Sequence, residues 1–375
     1  MTDHHWLFGD QLGPHHLSGL GEVPVVMIEA RSVFRRRRFH RAKAHLVLSA
    51  MRHRAAELGD RARYVRAETY AEGLREAVPD GGQVTVSHPT SYAALRLVKS
   101  LDSVHVLPAR GFLVPRGEFR AWADGHGGRQ LRQEDFYRWV RRSHELLMDG
   151  DQPAGGRWNH DHDNREPPPE GARTLGAPAP YRPREDEIDE DYRHRNALRH
   201  HEPLPDWFLE LDADAVQARC LATTLAQVRD TGWTHHIPRL MLLGSHALQR
   251  GWDPEAVTDW FHRCFVDGYD WVMVPNVVGM SQYADGGRMT TKPYTSGGAY
   301  VNRMSDLCKG CAYRPGDRTG DRACPFTAGY WAFLHRHRAR LERNPRMAQP
   351  VRGLDRLADL DELLRDERER GDAAP

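Results

Sequence analysis

Three cysteines near the C-terminal end constrain this chain most, because their spacing is typical of a metal-binding loop. Cys308, Cys311 and Cys324 form a C-x2-C-x12-C pattern. Cys220 lies far upstream and is the fourth predicted ligand. Cys264 is then the one cysteine of the five outside the predicted ligand set. Four convergent thiolates predict a metal site that joins two distant segments of one fold.

The residue types leave three interpretations of this cysteine set. A Cys-Pro step, here Cys324-Pro325, is typical of iron–sulfur ligation. Tetrahedral zinc competes, since it also uses two- and four-cysteine sites. A disulfide is disfavoured, because cysteines are sparse and Met1–His5 lacks the basic and apolar regions of a secretory signal. The residues alone therefore favour an iron–sulfur cluster, then zinc.

Composition excludes some classes of protein. With 375 residues, 39% of them hydrophobic and 28% charged, the chain is long enough for two domains. Since no apolar run approaches the ~20 residues of a membrane helix, we expect a cytoplasmic protein without a membrane partner. A net charge of +1 does not indicate nucleic acid. The basic cluster at 35–43 fits a phosphate-binding patch and a solvated helix start equally well.

The first 110 residues alternate between short apolar runs and helical patterns. This alternation predicts a parallel, Rossmann-like sheet covered by helices. The predicted strands are Trp6–Phe8, Pro24–Glu29, Ala62–Val65, Gln83–Ser87 and Val104–Leu107, and the predicted helices are Ala42–Leu58, Ala71–Val78 and Tyr92–Leu101. Ligands of such sheets bind at the carboxyl ends of the strands, so the turn at Gly9–Leu12 is a candidate site. Neither G-x-G-x-x-G nor a P-loop is present.

The remaining chain divides into a linker and a helical region. A predicted helix at Asp135–Met148 is followed by a proline-rich linker at Gln152–Asp206, with an acidic run at Glu185–Asp191. Helical patterns follow at Ala213–Thr231, Ile237–Leu248 and Pro254–Val266, and another begins near Thr327. The predicted units are an α/β domain at 1–130, helix and linker at 131–206, an all-α lobe at 207–350 and a polar tail at 351–375.

Eight sequence blocks resemble the iron–sulfur bacterial cryptochrome and photolyase family. They cover most of 1–165 and 218–350, and the later ones are highly specific. The blocks are Leu7–Leu12, Ser49–His53, Gly117–Ala123, Leu147–Asn159, His235–Met241, Trp271–Gly287, Thr291–Tyr294 and Asn302–Asp306.

This resemblance implies cofactors and roles for individual residues. It implies a [4Fe–4S] cluster on Cys220, Cys308, Cys311 and Cys324. It also implies FAD, whose ring would lie near Asp270, Trp271 and Asn276, with Trp260 in the electron path to it. The lesion pocket would contain His236, with Tyr294, Tyr300 and Met280, and an antenna chromophore would lie over Gly9, Asp10, Gln11 and Glu29.

The chain also departs from the family pattern. Family members are longer and carry, between the linker and the Cys220 helix, a helical stretch that supplies much of the FAD phosphate cradle. Without that stretch the resemblance predicts a truncated helical domain and weak FAD binding. Phe261 replaces a redox-active tyrosine of the electron path, Asp212 lies where its outer tryptophan would be, and Val33 replaces an acidic antenna-binding residue.

The resulting prediction is light-dependent repair of (6-4)-type pyrimidine photoproducts by a short photolyase-like lyase. UV-damaged DNA, single- or double-stranded, would lie in a groove lined by Arg36, Arg38, Arg157, Lys292 and Arg303. Two alternatives are a cryptochrome-like light or redox sensor, and an iron–sulfur nucleic-acid-binding protein without catalysis.

Overall fold

The computed structural model describes residues 4–126, 131–159 and 190–375. The proline clusters of the predicted linker, and residues 185–189 of its acidic run, lie outside the described residues. The strands are β1 His4–Leu7, β2 Val25–Ala30, β3 Ala62–Ala67, β4 Val84–Ser87, β5 Val104–Leu107 and a short antiparallel pair, β6 Met148–Asp149 and β7 Gln152–Pro153.

Helices surround the sheet and form the rest of the described chain. The α-helices of the first half are α1 Arg31–Arg36, α2 Arg41–Leu58, α3 Tyr70–Ala77, α4 Tyr92–Lys99, α5 Arg116–Asp124 and α6 Gln133–Ser143. Those of the second half are α7 Glu190–Arg193, α8 Asp206–Leu209, α9 Arg219–Thr231, α10 His236–Pro238, α11 Ser245–Arg250, α12 Pro254–Cys264, α13 Asp270–Val274, α14 Gly298–Met304, α15 Pro325–Arg336, α16 Arg338–Leu341, α17 Ala348–Gly353 and α18 Leu360–Arg370.

Five parallel strands form one sheet in the order β3-β2-β1-β4-β5. The central strand β1 is buried along its length, although its first two residues are His4 and His5. The order reverses at β1, so the ends of β1 and β4 form the switch point where ligands of such sheets bind. The sheet and the helical second half confirm the predicted α/β plus all-α architecture.

The helical lobe has an aromatic core. Trp252, Trp260 and Phe265 are all fully buried there and pack around Phe208, which lies in α8. Cys220 and Cys324 belong to the same core. A second apolar cluster joins α15 to the α16–α17 segment, and Leu363 of α18 is fully buried against α15. Residues 351–375, predicted from their composition as a polar tail, therefore contain packed helices.

Two residues of the α/β lobe fasten it to the helical lobe. Lys43 of α2 is buried, and its ammonium donates to the carbonyls of His262 (2.7 Å) and Gly268 (2.5 Å). His40 caps the N-terminus of α2 and contacts the Arg229 carbonyl at 2.8 Å through Nε2. Burial lowers the pKa of Lys43 to about 8, so this contact is strongest below that pH. We call His40 and Lys43 the lobe latch.

Local irregularities are where the structure departs from the predicted helix pattern. α9 begins at Arg219 and not at Ala213, because Asp212 caps a separate 3-10 turn at Ala213–Ala215. The π-helical segments Arg239–Gly244 and Pro275–Ser281 were not predicted. No helix among the described residues is long and apolar enough to cross a bilayer.

Candidate functional site

The four predicted cysteine ligands line one small pocket. Cys220 is the second residue of α9, Cys324 is the N-cap of α15, and Cys308 and Cys311 lie in the loop between α14 and α15. The rest of the pocket wall is apolar or aromatic, formed by Ala218, Val301, Leu307, Tyr313, Pro315, Pro325 and Phe326. The spacing of the cysteines in the sequence therefore predicted a real convergence, and Cys264 does not line this pocket.

The electrostatics of the pocket favour an electron-deficient centre between the sulfurs. Burial and then the other three cysteines raise the pKa of Cys220, and burial raises the pKa of Cys308 to about 11. Four thiolates this close repel one another unless positive charge lies among them. Two helix N-termini face the sulfurs, since α9 begins beside Cys220 and backbone N–H groups of Phe326 and Thr327 point at Cys324.

Four thiols are a donor set that suits either tetrahedral zinc or an iron–sulfur cluster. Among the described residues, no three His, Cys, Asp or Glu side chains are close enough to hold one metal ion. The pocket lining suits both groups, and the preference for a cluster comes from the family resemblance.

Three elements that carry predicted lesion-pocket residues are bonded together. His236 begins α10, Met280 lies in the Pro275–Ser281 π-helix, and Tyr294 lies in the loop before α14. The Ser296 hydroxyl donates to the Met241 carbonyl at 2.7 Å and so joins that loop to the helix that His236 begins.

Gly244 lets the two π-helical segments touch. The Gln282 amide donates to the Gly244 carbonyl at 3.0 Å. A Cβ on Gly244 would lie 2.1 Å from the Ser281 hydroxyl, so a larger residue would force the segments apart. The helix from His236 and the segment with Met280 are therefore held at contact distance, which no sequence period indicated.

We call the elements that carry the predicted lesion-pocket residues, His236, Met280, Tyr294 and Tyr300, the lesion face. Tyr300 places it next to the cysteine pocket. It lies in α14, where Val301 lines the pocket. A Cβ on Gly298, two residues earlier, would lie 2.8 Å from the Cys324 sulfur. On its other side, Arg303 holds its guanidinium 5.7 Å from the centre of the Tyr300 ring. One short helix therefore connects the candidate metal centre to an aromatic side chain and a surface cation.

His236 is exposed but carries its proton weakly. Desolvation by the neighbouring protein lowers the pKa of His236, and His235 and Arg239 lower it further. In the free protein the imidazole is therefore neutral near pH 7. A nearby phosphate group would raise the pKa of His236, because an opposite charge favours the protonated ring.

Asp270, a predicted flavin contact, is already paired with side chains of the chain itself. Its carboxylate lies 2.9 Å from Arg193, 3.2 Å from His262 and 3.9 Å from Arg37. Burial raises the pKa of Asp270, but His262, Arg193 and Arg37 together outweigh burial and lower it. Asp270 therefore stays ionised and paired, and Arg193 reaches it from the end of the predicted linker.

Trp271 and Asn276 lie beside Asp270. Trp271 meets Phe112 edge-to-face at 5.9 Å and packs with Tyr192 against the apolar face of α13. The Asn276 amide nitrogen donates to the Val272 carbonyl at 2.7 Å, which leaves its oxygen as an acceptor. The residues present therefore fit the ring half of a flavin only in part. Trp271 and Asn276 are available to a ring, whereas Asp270 is already paired.

Two of the predicted antenna residues near the switch point, Gln11 and Glu29, are hydrogen-bonded within the protein. Gln11 is fully buried and donates to the Ser87 and His88 carbonyls, which ties β1 to β4. Glu29 accepts two hydrogen bonds from Arg52, at 2.7 and 3.1 Å, and another from Tyr64. Both side chains therefore have structural partners.

Gly9 and Asp10 face a neighbouring element. A Cβ on Gly9 would lie 2.9 Å from Val47 of α2, so glycine permits that close packing. Burial raises the pKa of Asp10, a hydrogen bond from Thr90 opposes that rise, and the Asp270 carboxylate adds to it. The switch point of the sheet therefore lies close to the helical lobe.

The predicted DNA-binding cations are all exposed. Arg36 and Arg38 lie at and beyond the end of α1, and Arg157 lies just after β7. Lys292 and Arg303 flank the loop and helix that carry Tyr294 and Tyr300. The structure thus gives two of the five cations a place beside the lesion face.

Comparison with known proteins decides the family. A sequence model described as deoxyribodipyrimidine photo-lyase-related protein matches residues 5–200. Over 488 aligned positions the chain is 30% identical to a (6-4) photolyase of Agrobacterium fabrum, covering 94% of this chain and 95% of that protein. The chain belongs to the deoxyribodipyrimidine photo-lyase-related family. It is also 49% identical over 57 residues to an uncharacterized protein of Acanthamoeba polyphaga mimivirus, which covers 15% of this chain and 46% of that protein.

This photolyase-related chain is shorter than the Agrobacterium protein. The 488 aligned positions exceed the 375 residues present, so more than 100 of those positions have no residue here. The family assignment and the reduced length confirm the resemblance to a shortened photolyase.

Trp260 lies in an aromatic chain that the sequence did not reveal. It is fully buried, donates to the Phe208 carbonyl at 3.0 Å and has its ring 4.3 Å from that of Phe208. Phe208 then contacts Trp252 at 4.7 Å, and Trp252 contacts Trp207 at 6.0 Å. In this photolyase-related protein, the path outward from Trp260 leads to the half-buried Trp207. Both tryptophans were missed because they lie outside the family motifs.

Proposed function

We propose that this chain is a short photolyase-like DNA-repair protein that acts on (6-4)-type pyrimidine photoproducts under light. The observation that carries the proposal is the junction of the lesion face with the four-cysteine pocket, through α14. The kinship to a (6-4) photolyase supports the DNA-repair function itself.

In this proposal the four cysteines hold a [4Fe–4S] cluster that fixes α9 to the loop before α15. A bound flavin would supply the electron that lesion cleavage needs. Asn276 would accept or donate at the ring edge, and Trp271 would cover the ring side. Tyr294 and Tyr300 would stack on the displaced base and exclude water, with Met280 filling the pocket beside them.

His236 would donate the proton that the (6-4) product requires. It lies at the start of α10, on the segment bonded to the Tyr294 loop through Ser296. Its ring is neutral in the free protein, so the DNA phosphates would have to raise its pKa before it can act. Binding of the substrate and protonation of the acid would then be coupled.

Repair itself is the direct test of the proposal. Oligonucleotides with one defined (6-4) product or one cyclobutane dimer are incubated with protein and FAD, in blue light and in darkness. We expect light-dependent loss of the (6-4) product alone. Unchanged lesions of both kinds, under conditions where flavin and DNA are shown to bind, would rule out a lyase.

DNA binding should depend strongly on salt. Each phosphate contact contributes a slope of about −0.9 to the plot of log affinity against log salt. We expect Arg303→Ala to reduce that slope by about one unit, because one exposed cation beside Tyr300 is lost. Fluorescence anisotropy with a labelled duplex measures this, and Arg75→Ala, an exposed arginine of α3, serves as the control. Equal slopes for both variants would exclude Arg303 from the interface.

FAD should bind weakly. Asp270 is already paired with Arg193, and the resemblance implies that this shorter chain lacks the helical stretch that supplies much of the FAD phosphate cradle, so charge-assisted contacts to the pyrophosphate should be few. We expect a dissociation constant above about 1 μM and repair that is restored by added FAD. Asn276→Ala should weaken FAD a further ~tenfold through loss of a hydrogen bond, whereas Asn302→Ala, an exposed control, should not. Protein that purifies with one tightly bound FAD would contradict this prediction.

A second candidate is an iron–sulfur nucleic-acid-binding protein without flavin chemistry. The observation that favours it is Asp270, whose carboxylate is occupied by Arg193, His262 and Arg37 where the ring edge would need it. Iron, sulfide and flavin analyses of the purified protein separate the two. Iron with DNA binding, but no flavin binding at any concentration, would favour this candidate, and flavin binding without repair would favour a light or redox sensor.

A further inference from the structure

A large cleft in the helical lobe shares no lining residue with the cysteine pocket. Its volume is about 680 Å³, within the range of small-molecule sites. We call it the arginine cleft. Its walls come from the 198–202 segment and the ends of α11, α15 and α18, and its residues are Leu198, Arg199, His200, His201, Glu202, Arg250, Gly251, Ala332, His335, Arg336, His337, Leu364, Glu367, Arg368, Gly371 and Asp372.

The cleft carries unpaired positive charge. Of its acids, Glu367 is held by Arg250 and Arg370, and Asp372 accepts from the Trp252 indole at 3.3 Å. These acids are therefore satisfied within the protein. Three exposed arginines remain, Arg199, Arg336 and Arg368, against Glu202. Among the described residues, none of the three guanidinium groups has an ion-pair or hydrogen-bond partner.

Arg250 and Arg336 show that this charge is partly removed from water. The Arg250 side chain is only 8% exposed, and its Nε atom is buried without a described partner. Burial lowers the pKa of Arg336, and the charge of Arg250 lowers it further. Gly251 leaves room for this pair, since a Cβ there would lie 2.7 Å from an Arg336 nitrogen. Arg250 already has Glu367 as its counter-ion, so the charge left for a bound anion here is that of Arg336.

The 198–202 segment is held in an unfavourable conformation that presents Arg199. Arg199 has φ of 56°, in the left-handed region, which costs a non-glycine residue about 1–3 kcal/mol. Asn196 holds the turn through two hydrogen bonds to the His200 backbone, at 2.6 and 2.9 Å. The next residue, His200, hydrogen-bonds to His337 across the cleft at 2.8 Å.

The remaining lining suits a nucleobase. Leu198, Ala332 and Leu364 provide an apolar surface, and the exposed imidazoles of His201 and His335 provide flat rings for stacking. Arginines bind phosphate in a bidentate manner and are the usual donors to such groups. The cleft therefore combines a phosphate-binding side with an apolar side.

We propose that the arginine cleft binds a nucleoside polyphosphate of about ADP size, with its phosphates on Arg199, Arg336 and Arg368 and its base against Leu198 and Leu364. This site is separate from the lesion face and does not depend on the repair activity.

Calorimetric titration of the full-length protein with ADP, pyrophosphate and adenosine tests the proposal. We expect ADP to bind most tightly, pyrophosphate less tightly and adenosine weakest, because the first alone uses both sides of the cleft. Arg336→Gln and Arg368→Gln should each weaken ADP about tenfold through loss of charge-assisted bonds. Arg352→Gln, an exposed arginine of α17 outside the cleft, is the matched control and should bind ADP as the parent does.

Glu202→Gln tests the cleft through a gain of ADP affinity, which an unfolded variant could not show. This substitution removes the unpaired acid of the cleft, so ADP should bind a few-fold more tightly. Absence of ADP binding to the parent protein at about millimolar concentration would overturn the proposal. The proposal would also be overturned if Arg336→Gln and Arg368→Gln bound ADP as the parent does. It would be overturned as well if undamaged duplex DNA bound to these arginines and ADP did not.

Discussion

Cys311→Ser should bleach the brown absorbance of the purified protein and unfold the helical lobe at a lower temperature. Cys311 is one of four thiols around a pocket that joins α9 to the loop before α15. Binding energy at such a site is folding energy, and structural zinc sites supply ~10–16 kcal/mol. A contribution of about 4 kcal/mol would already lower the melting temperature by about 8–16 °C for a lobe of this size.

Cys264→Ala is the matched control for this experiment. Cys264 is buried in the same core but does not line the pocket, so its loss should leave iron, sulfide and absorbance unchanged. Removing its sulfur leaves only a small cavity, which costs far less than a lost cluster. One equivalent of zinc without iron in the parent protein would contradict the cluster and restore the zinc interpretation.

His236→Ala should abolish repair and leave DNA binding nearly unchanged. If His236 is the proton donor, its removal affects only the step in which charge moves to the lesion, and general acids contribute about 10²–10⁴-fold to a rate. Single-turnover repair after one light flash measures that step, and anisotropy measures binding. His45→Ala, an exposed histidine of α2, is the control. Repair by His236→Ala at the parent rate would make His236 a structural residue.

The rate of repair should increase as the pH falls. Desolvation, His235 and Arg239 lower the pKa of His236, so the protonated fraction is small at neutral pH. In the complex with DNA, where the phosphates raise this pKa, the protonated fraction increases as the pH falls, and single-turnover repair should increase with it. His236→Gln, which keeps a polar side chain but cannot titrate, should lose the dependence. A parent profile that is flat between about pH 6 and pH 8 would contradict this assignment.

The parts of the fold predictable from sequence are those with a local cause. The β2 and β4 strands were predicted to within a residue because buried parallel strands read as short apolar runs. The cysteine pocket was predictable because ligand spacing is written directly in the chain. The π-helical segments were not, since a π-helix and an α-helix share nearly the same apolar periodicity over one or two turns.

The pairing of Asp270 could not be predicted from its neighbours. Its partners Arg37, Arg193 and His262 come from α1, α7 and α12, and charge alone does not say which cation reaches which acid. The arginine cleft has the same origin, because its walls come from four separate segments. Both features depend on tertiary packing, which composition and spacing do not encode.

The lobe latch explains how a photolyase-related chain can be shortened without losing its architecture. His40 and Lys43 bind backbone carbonyls of α9, of α12 and of the turn before α13. Every residue has a backbone carbonyl, so substitution of the side chains at these acceptor positions leaves the hydrogen-bond acceptors in place. These contacts keep the two lobes joined in a chain that lacks more than 100 of the positions aligned with the Agrobacterium protein.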